Sequence, residues 1–107
     1  MKLSDLQAEV RPWAEHNFPD AQPHWPLLGA VEEIGELSHS MLKSLQGIRG
    51  TLEEHEAAMK DAVADCIIFF AHFANLLEFD LGDVVFETWE KVRQRDWKRN
   101  PTNGIDG

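Results

Sequence analysis

Residues 61–77 read DAVADCIIFFAHFANLL, and from Ala62 to Ala74 only Asp65 and His72 interrupt a run of apolar side chains. The apolar residues do not alternate with polar ones at a period of two, so the segment reads as a helix and not a half-buried strand. A helix that is apolar nearly all round belongs at the centre of a bundle or between subunits. It falls well short of the ~20 apolar residues needed to cross a bilayer, and no other stretch of the chain comes closer. Asp65 is the informative residue. An unpaired carboxylate on an inward-packing face costs several kcal/mol as an order of magnitude, so it is expected to be paired, neutralised or bound to a metal.

Outward from this segment, helical punctuation repeats on both sides. Thr51 followed by Glu54 forms a capping-box pattern that opens the same helix upstream. Before it, Leu28, Val31, Ile34, Leu37, Met41, Leu42 and Leu45 recur at helical spacing, and Gly47 with Gly50 stops the run. This predicts a helix of about 20 residues from Leu27, with Pro26 in its first turn. The string NFPDAQPHWP at 17–26 reads as a loop. Ser4 with Gln7 is a second capping-box pattern, and Leu6, Val10 and Trp13 mark one face of a first helix, in which Pro12 predicts a kink or an early break. Downstream, Asp80 is placed to cap a fourth helix with Val84, Val85, Trp89 and Val92 as its inner face. Phe69, Phe70, Phe73 and Trp89 are spaced as core. The reading is an all-α bundle of about four helices, one domain over residues 1–100, with PTNGIDG at 101–107 as a flexible tail.

The chain has 107 residues, 43% hydrophobic and 27% charged, a composition that argues against disorder. Nineteen Asp and Glu against ten Lys and Arg give a net charge of −9, which disfavours duplex nucleic acid as a partner. Cys66 is the sole cysteine, so neither an intrachain disulfide nor a cysteine-built zinc site is available, and a reducing, cytoplasmic setting is expected. The N-terminal residues lack a signal-peptide core, and no membrane association is expected. Gly-rich phosphate loops and Ser-centred nucleophile elbows are absent.

Charge is concentrated in two places. In VEEIGEL, Glu32, Glu33 and Glu36 crowd one helical turn. Taken alone, this motif is weak, and a solvated acidic face is the preferred reading. On the next helix Asp61 and Asp65 are four residues apart and share a face with His72. Carboxylates on two neighbouring helices, without cysteine, suit Mg²⁺ with Mn²⁺ as a substitute. The competing readings are an Asp65 paired with a distant basic residue and a di-iron bundle, for which Glu36 and His39 supply only one of the two Glu-x-x-His repeats required. At the other end, Lys91, Arg93, Arg95, Lys98 and Arg99 gather half of the basic residues into nine positions. On a continuing helix Lys91, Arg95 and Lys98 would line one side, where they either complement the helix dipole or bind phosphate. Lys43, seven residues after Glu36, is placed to reach the same ligand, with Arg49 a weaker candidate. Trp13, Phe18 and Trp25 flank the Pro-rich loop as lid, core or a stacking platform for a base.

With EEIGE at 32–36, DAVAD at 61–65 and the apolar continuation CIIFFAHFANLL, the chain resembles the MazG-like all-α nucleoside triphosphate pyrophosphatases. The resemblance runs from the first helix to RDWKRNP. It implies a helical bundle that assembles into a homodimer or homotetramer. It further implies Mg²⁺-dependent cleavage of an NTP or dNTP between the α and β phosphates, to a nucleoside monophosphate and pyrophosphate. On it, Glu33, Glu36 and Asp65 correspond to metal ligands. Glu32, with Glu33, has a catalytic place in orienting or deprotonating water, while Lys91, Arg95, Lys98 and Asn100 stand where phosphate is contacted. One position departs from the pattern: the usual Glu three residues before Asp65 is Ala62, and Asp61, four before, is the candidate replacement. A non-catalytic nucleotide-binding or protein-interaction module of the same fold is the alternative function.

Overall fold

The computed structural model describes residues 1–107 and contains four α-helices and no strand. They are α1 (Leu3–Asn17), α2 (His24–Gln46), α3 (Leu52–Leu76) and α4 (Leu81–Val92). None is both long and apolar enough to cross a membrane by itself.

Local chemistry sets most of the boundaries. At the start of α3, Thr51 Oγ1 accepts from the Glu54 backbone N–H at 3.1 Å, and Glu54 returns its carboxylate to the Thr51 N–H. Asp80 caps α4 by accepting from the Asp83 N–H at 2.8 Å. Gly47 closes α2 in the left-handed conformation, φ 68°, where a residue without Cβ is unstrained. At the N-terminus the sequence-based placement is off by two residues: Lys2, not Ser4, is the cap, because the Asp5 carboxylate reaches back to the Lys2 N–H at 2.8 Å. Pro12 does not end α1, which continues to Asn17. The Pro-rich loop is shorter than predicted, since α2 starts at His24 with Pro26 still inside its first turn.

Helices α2 and α3 form the main antiparallel pair. They approach closely through small side chains: Ala30 and Ala62 are buried, and the Cys66 thiol lies 3.8 Å from the Ala30 carbonyl. Helix α1 packs on the C-terminal half of α3, where Val10, Ala14 and Ala71 make the core cluster flanked by Leu6 and Leu81. A buried polar network ties the same region together. Gln7 Nε2 donates to Asn75 Oδ1 at 3.0 Å and to the Phe79 carbonyl at 2.9 Å, while Gln7 Oε1 accepts from the Leu81 N–H at 2.6 Å. Asn75 Nδ2 donates to the Gln7 carbonyl at 3.0 Å.

The resulting shape is open. Helix α4 turns away from α3 by 109° and contacts only α1 and the end of α3, and α1 does not pack on α2. The radius of gyration is 17.4 Å, against about 13 Å for a compact chain of this length. This overturns two expectations. Asp65 is exposed within the single chain, because it borders an open cleft and not packed core; Val63, Ile67, Ile68 and Phe70 on that helix are exposed too. The inner face foreseen for α4 is also uncovered, with Trp89 55% exposed, and Leu45 on α2 reaches 77%.

Helix α4 stops at Val92, so the cations that follow do not share a helical face as predicted. The Asp96 carboxylate accepts from the backbone N–H groups of Lys98 and Arg99 and turns the chain. Residues 100–106 then fold back, with Asp96 N–H donating to the Gly104 carbonyl at 2.8 Å and Asn100 Nδ2 to Asp106 Oδ1 at 2.8 Å.

Candidate active site

The first turns of α2, the middle of α3 and one face of α1 line an open cavity of about 680 Å³, within the range of small-molecule sites. Its walls are largely apolar and aromatic: Trp13 and Phe18 from the α1 end, Trp25 and Pro26 from α2, Ile68 and Phe69 from α3. Trp13 and Phe18 meet edge to face with centroids 5.9 Å apart, which fixes that corner. Three carboxylates also line it, Glu9 from α1, Glu33 from α2 and Asp65 from α3. No Lys or Arg does.

Glu33 is half-buried and faces α3 across the helix pair. Loss of hydration raises the pKa of its carboxyl above the ordinary carboxylate value. The negative charges of Glu36, Asp65 and Glu32, and a hydrogen bond shared with Glu36, push it the same way. The antiparallel α2–α3 packing therefore brings Glu32, Glu33, Glu36 and Asp65 into one electrostatic neighbourhood. Asp61 is exposed and is not among the charges acting on Glu33, and the buried Ala62 contributes no oxygen beside it. His72, on the same side of α3 as Asp65, borders the cavity; burial lowers its pKa and favours the neutral imidazole.

The donor chemistry fits a hard divalent cation, since the group is all carboxylate oxygen and a cation would relieve the like-charge repulsion around Glu33. In this conformation no three acidic, His or Cys side chains converge on one point at ligand distance.

The basic residues occupy a second cavity of about 660 Å³, formed by Lys91, Arg95, Arg99 and Asn100 with Asp96 and the returning tail. The two cavities share no residue, and α4 does not touch α2. Lys98 lines neither cavity, and its backbone N–H donates to the Asp96 carboxylate. Lys43 donates to Gln46 Oε1 at 2.9 Å and does not reach the aromatic cavity. Arg49 sits in the α2–α3 loop, whose Ile48 carbonyl lies 2.9 Å from His55 Nε2.

A family model described as the MazG nucleotide pyrophosphohydrolase domain matches residues 23–100. The chain belongs to the MazG family. No curated protein and no solved structure gives a significant match. The MazG match takes in α2, α3 and α4, and with them every acidic residue of the α2–α3 neighbourhood. Helix α1 precedes the matched span, and so does Glu9, which no sequence motif singles out.

Proposed function

We propose that the chain is a divalent-metal-dependent nucleotide pyrophosphohydrolase that cleaves an NTP or dNTP between the α and β phosphates, with water as co-substrate, releasing a nucleoside monophosphate and pyrophosphate. The observation that carries this reading is the crowding of Glu33 by Glu36 and Asp65 at the rim of an aromatic cavity, on residues within the MazG match.

Glu33, Glu36 and Asp65 would hold Mg²⁺, or Mn²⁺ in its place, with Asp61 joining through water in place of the acid missing at Ala62. A cation held there would supply neutralisation of phosphate charge and polarisation of the scissile anhydride. Glu32, with Glu33, orients the attacking water and accepts its proton. Trp25 and the neighbouring aromatic rings stack on the base, for which an apolar cavity with few polar groups is suited. Lys91, Arg95, Lys98, Asn100 and Lys43 are assigned to the phosphates in an assembled homodimer or homotetramer. What supports assembly is the open shape and the uncovered apolar faces of α2, α3 and α4, too extensive for an isolated monomer.

Incubation with each of the eight common NTPs and dNTPs in Mg²⁺ should release pyrophosphate and not orthophosphate. Absence of release with every nucleotide, or an unchanged rate in Glu36→Ala, refutes the proposal. The buried Ala62 at the usual acid position favours one second reading, a nucleotide-binding module without turnover. Binding by calorimetry with the nucleotide recovered intact would select that reading.

A further inference from the structure

Helix α2 contains two interior glycines that differ in their surroundings. Around Gly35 there is open space for a Cβ. At Gly29 an added Cβ would stand 2.6 Å from Phe69 Cζ and 2.8 Å from Cδ1, and closer still to Cε1. No carbon–carbon contact survives at that separation, so the edge of the Phe69 ring lies directly on the α2 backbone only because residue 29 lacks a side chain. Glycine is a poor helix former, and its place inside α2 is accounted for by this contact.

Phe69 is also a wall of the aromatic cavity, and Pro26, one turn before Gly29 and fully buried, is its neighbour in that wall. On the side toward the α2–α3 interface the ring has nowhere to go. Ala30 is 1% exposed there, and Cys66 closes against the Ala30 carbonyl. A ring displaced from Gly29 therefore moves into the cavity.

We infer that the Gly29–Phe69 contact sets the width of the aromatic cavity and with it the size of the planar group accepted, so that the recess behind the acidic residues admits a bicyclic ring. Gly29 acts through Phe69 and is a positioning residue. The inference rests on the reading of this cavity as the base site of a nucleotide hydrolase, and its test separates the two.

Two measurements are made on wild type, Gly29→Ala, Gly29→Ala/Phe69→Leu and Gly35→Ala. The first is the ratio of kcat/KM for ATP to that for UTP. The second is the ratio of affinities for indole and phenol, two-ring and one-ring probes that need no catalysis. Gly29→Ala is expected to lower both ratios by about tenfold, the scale on which a pocket discriminates one added group. Trimming the ring in the double variant restores both, and Gly35→Ala leaves both unchanged. Where Gly29→Ala does not fold, Phe69→Trp, with residue 29 untouched, enlarges the ring and is expected to lower both ratios in the same way. An indole-to-phenol ratio unchanged in Gly29→Ala or in Phe69→Trp, or not restored by Phe69→Leu, overturns the inference. A wild type that cleaves no nucleotide overturns the functional reading alone, because the indole and phenol ratio still reports the cavity.

Discussion

Gln7 links three elements through one side chain, and replacing it with leucine of similar size tests how the α1 wall of the cavity is held. Gln7→Leu removes the bonds to Asn75 Oδ1, the Phe79 carbonyl and the Leu81 N–H. Asn75 Oδ1 keeps Arg11 Nη2 at 3.3 Å, and Asn75 Nδ2 keeps the Gln7 backbone carbonyl. Two backbone groups are then orphaned, the Phe79 C=O and the Leu81 N–H. An unsatisfied buried group costs about 1–3 kcal/mol. Both bonds are only partly buried, so water recovers a share, and the loss is about 3 kcal/mol in total. That is roughly a hundredfold in the folded-to-unfolded ratio and about 12–20 °C in melting temperature for a domain of this size. Urea denaturation at one fixed protein concentration measures it, because any self-association adds to apparent stability. Asn75→Leu and the double variant complete a cycle in which the two losses should overlap and fail to add. A loss below about 0.5 kcal/mol in Gln7→Leu, or strict additivity, would refute the account of this network.

Three further outcomes follow from the electrostatics and the open surface. The Glu33 pKa is raised in the folded state, so the stability tied to its protonated form is present at low pH and declines as pH rises through that raised value. Gln at position 33 removes the penalty: without divalent ions its advantage over wild type should grow with pH in differential scanning calorimetry, and Mg²⁺ should stabilise wild type more than the variant. His72 has the opposite sign, because a lowered pKa means stability is lost as pH falls through the ordinary imidazole value; His72→Phe should flatten the slope between about pH 7 and pH 5 in urea titrations. In sedimentation the wild-type chain should run as at least a dimer, and a 12.2 kDa particle at working concentrations would contradict that expectation.

Legibility in the sequence follows the range of the interaction. Thr51 with Glu54, Gly47, and Asp80 with Asp83 act within one turn, and each is where the spacing places it. The misjudged boundaries are local contests between equals. Asp5 outcompetes Ser4 for the start of α1, and Asp96 turns the backbone where the run of cations suggested more helix. Burial of Asp65 was not legible, because an apolar periphery tells that a helix wants cover without telling whether its own chain supplies it. The acidic neighbourhood was legible, since EEIGE and Asp65 fall on two long helices that a short loop forces to lie antiparallel. Glu9 and the role of Gly29 needed coordinates, because both depend on which residues from distant parts of the chain face the same space.

Helices α1 and α2 both wall the aromatic cavity, yet they do not pack on each other and are joined only through α3 and the short segment 18–23. A molecule seated between Trp13 and Trp25 would supply the interhelical contact that the polypeptide itself omits. Ligand and protein then share one core, so occupancy should clamp the 18–23 connection against proteases and slow its amide exchange. Filling the gap would turn two separately supported walls into a single rigid unit.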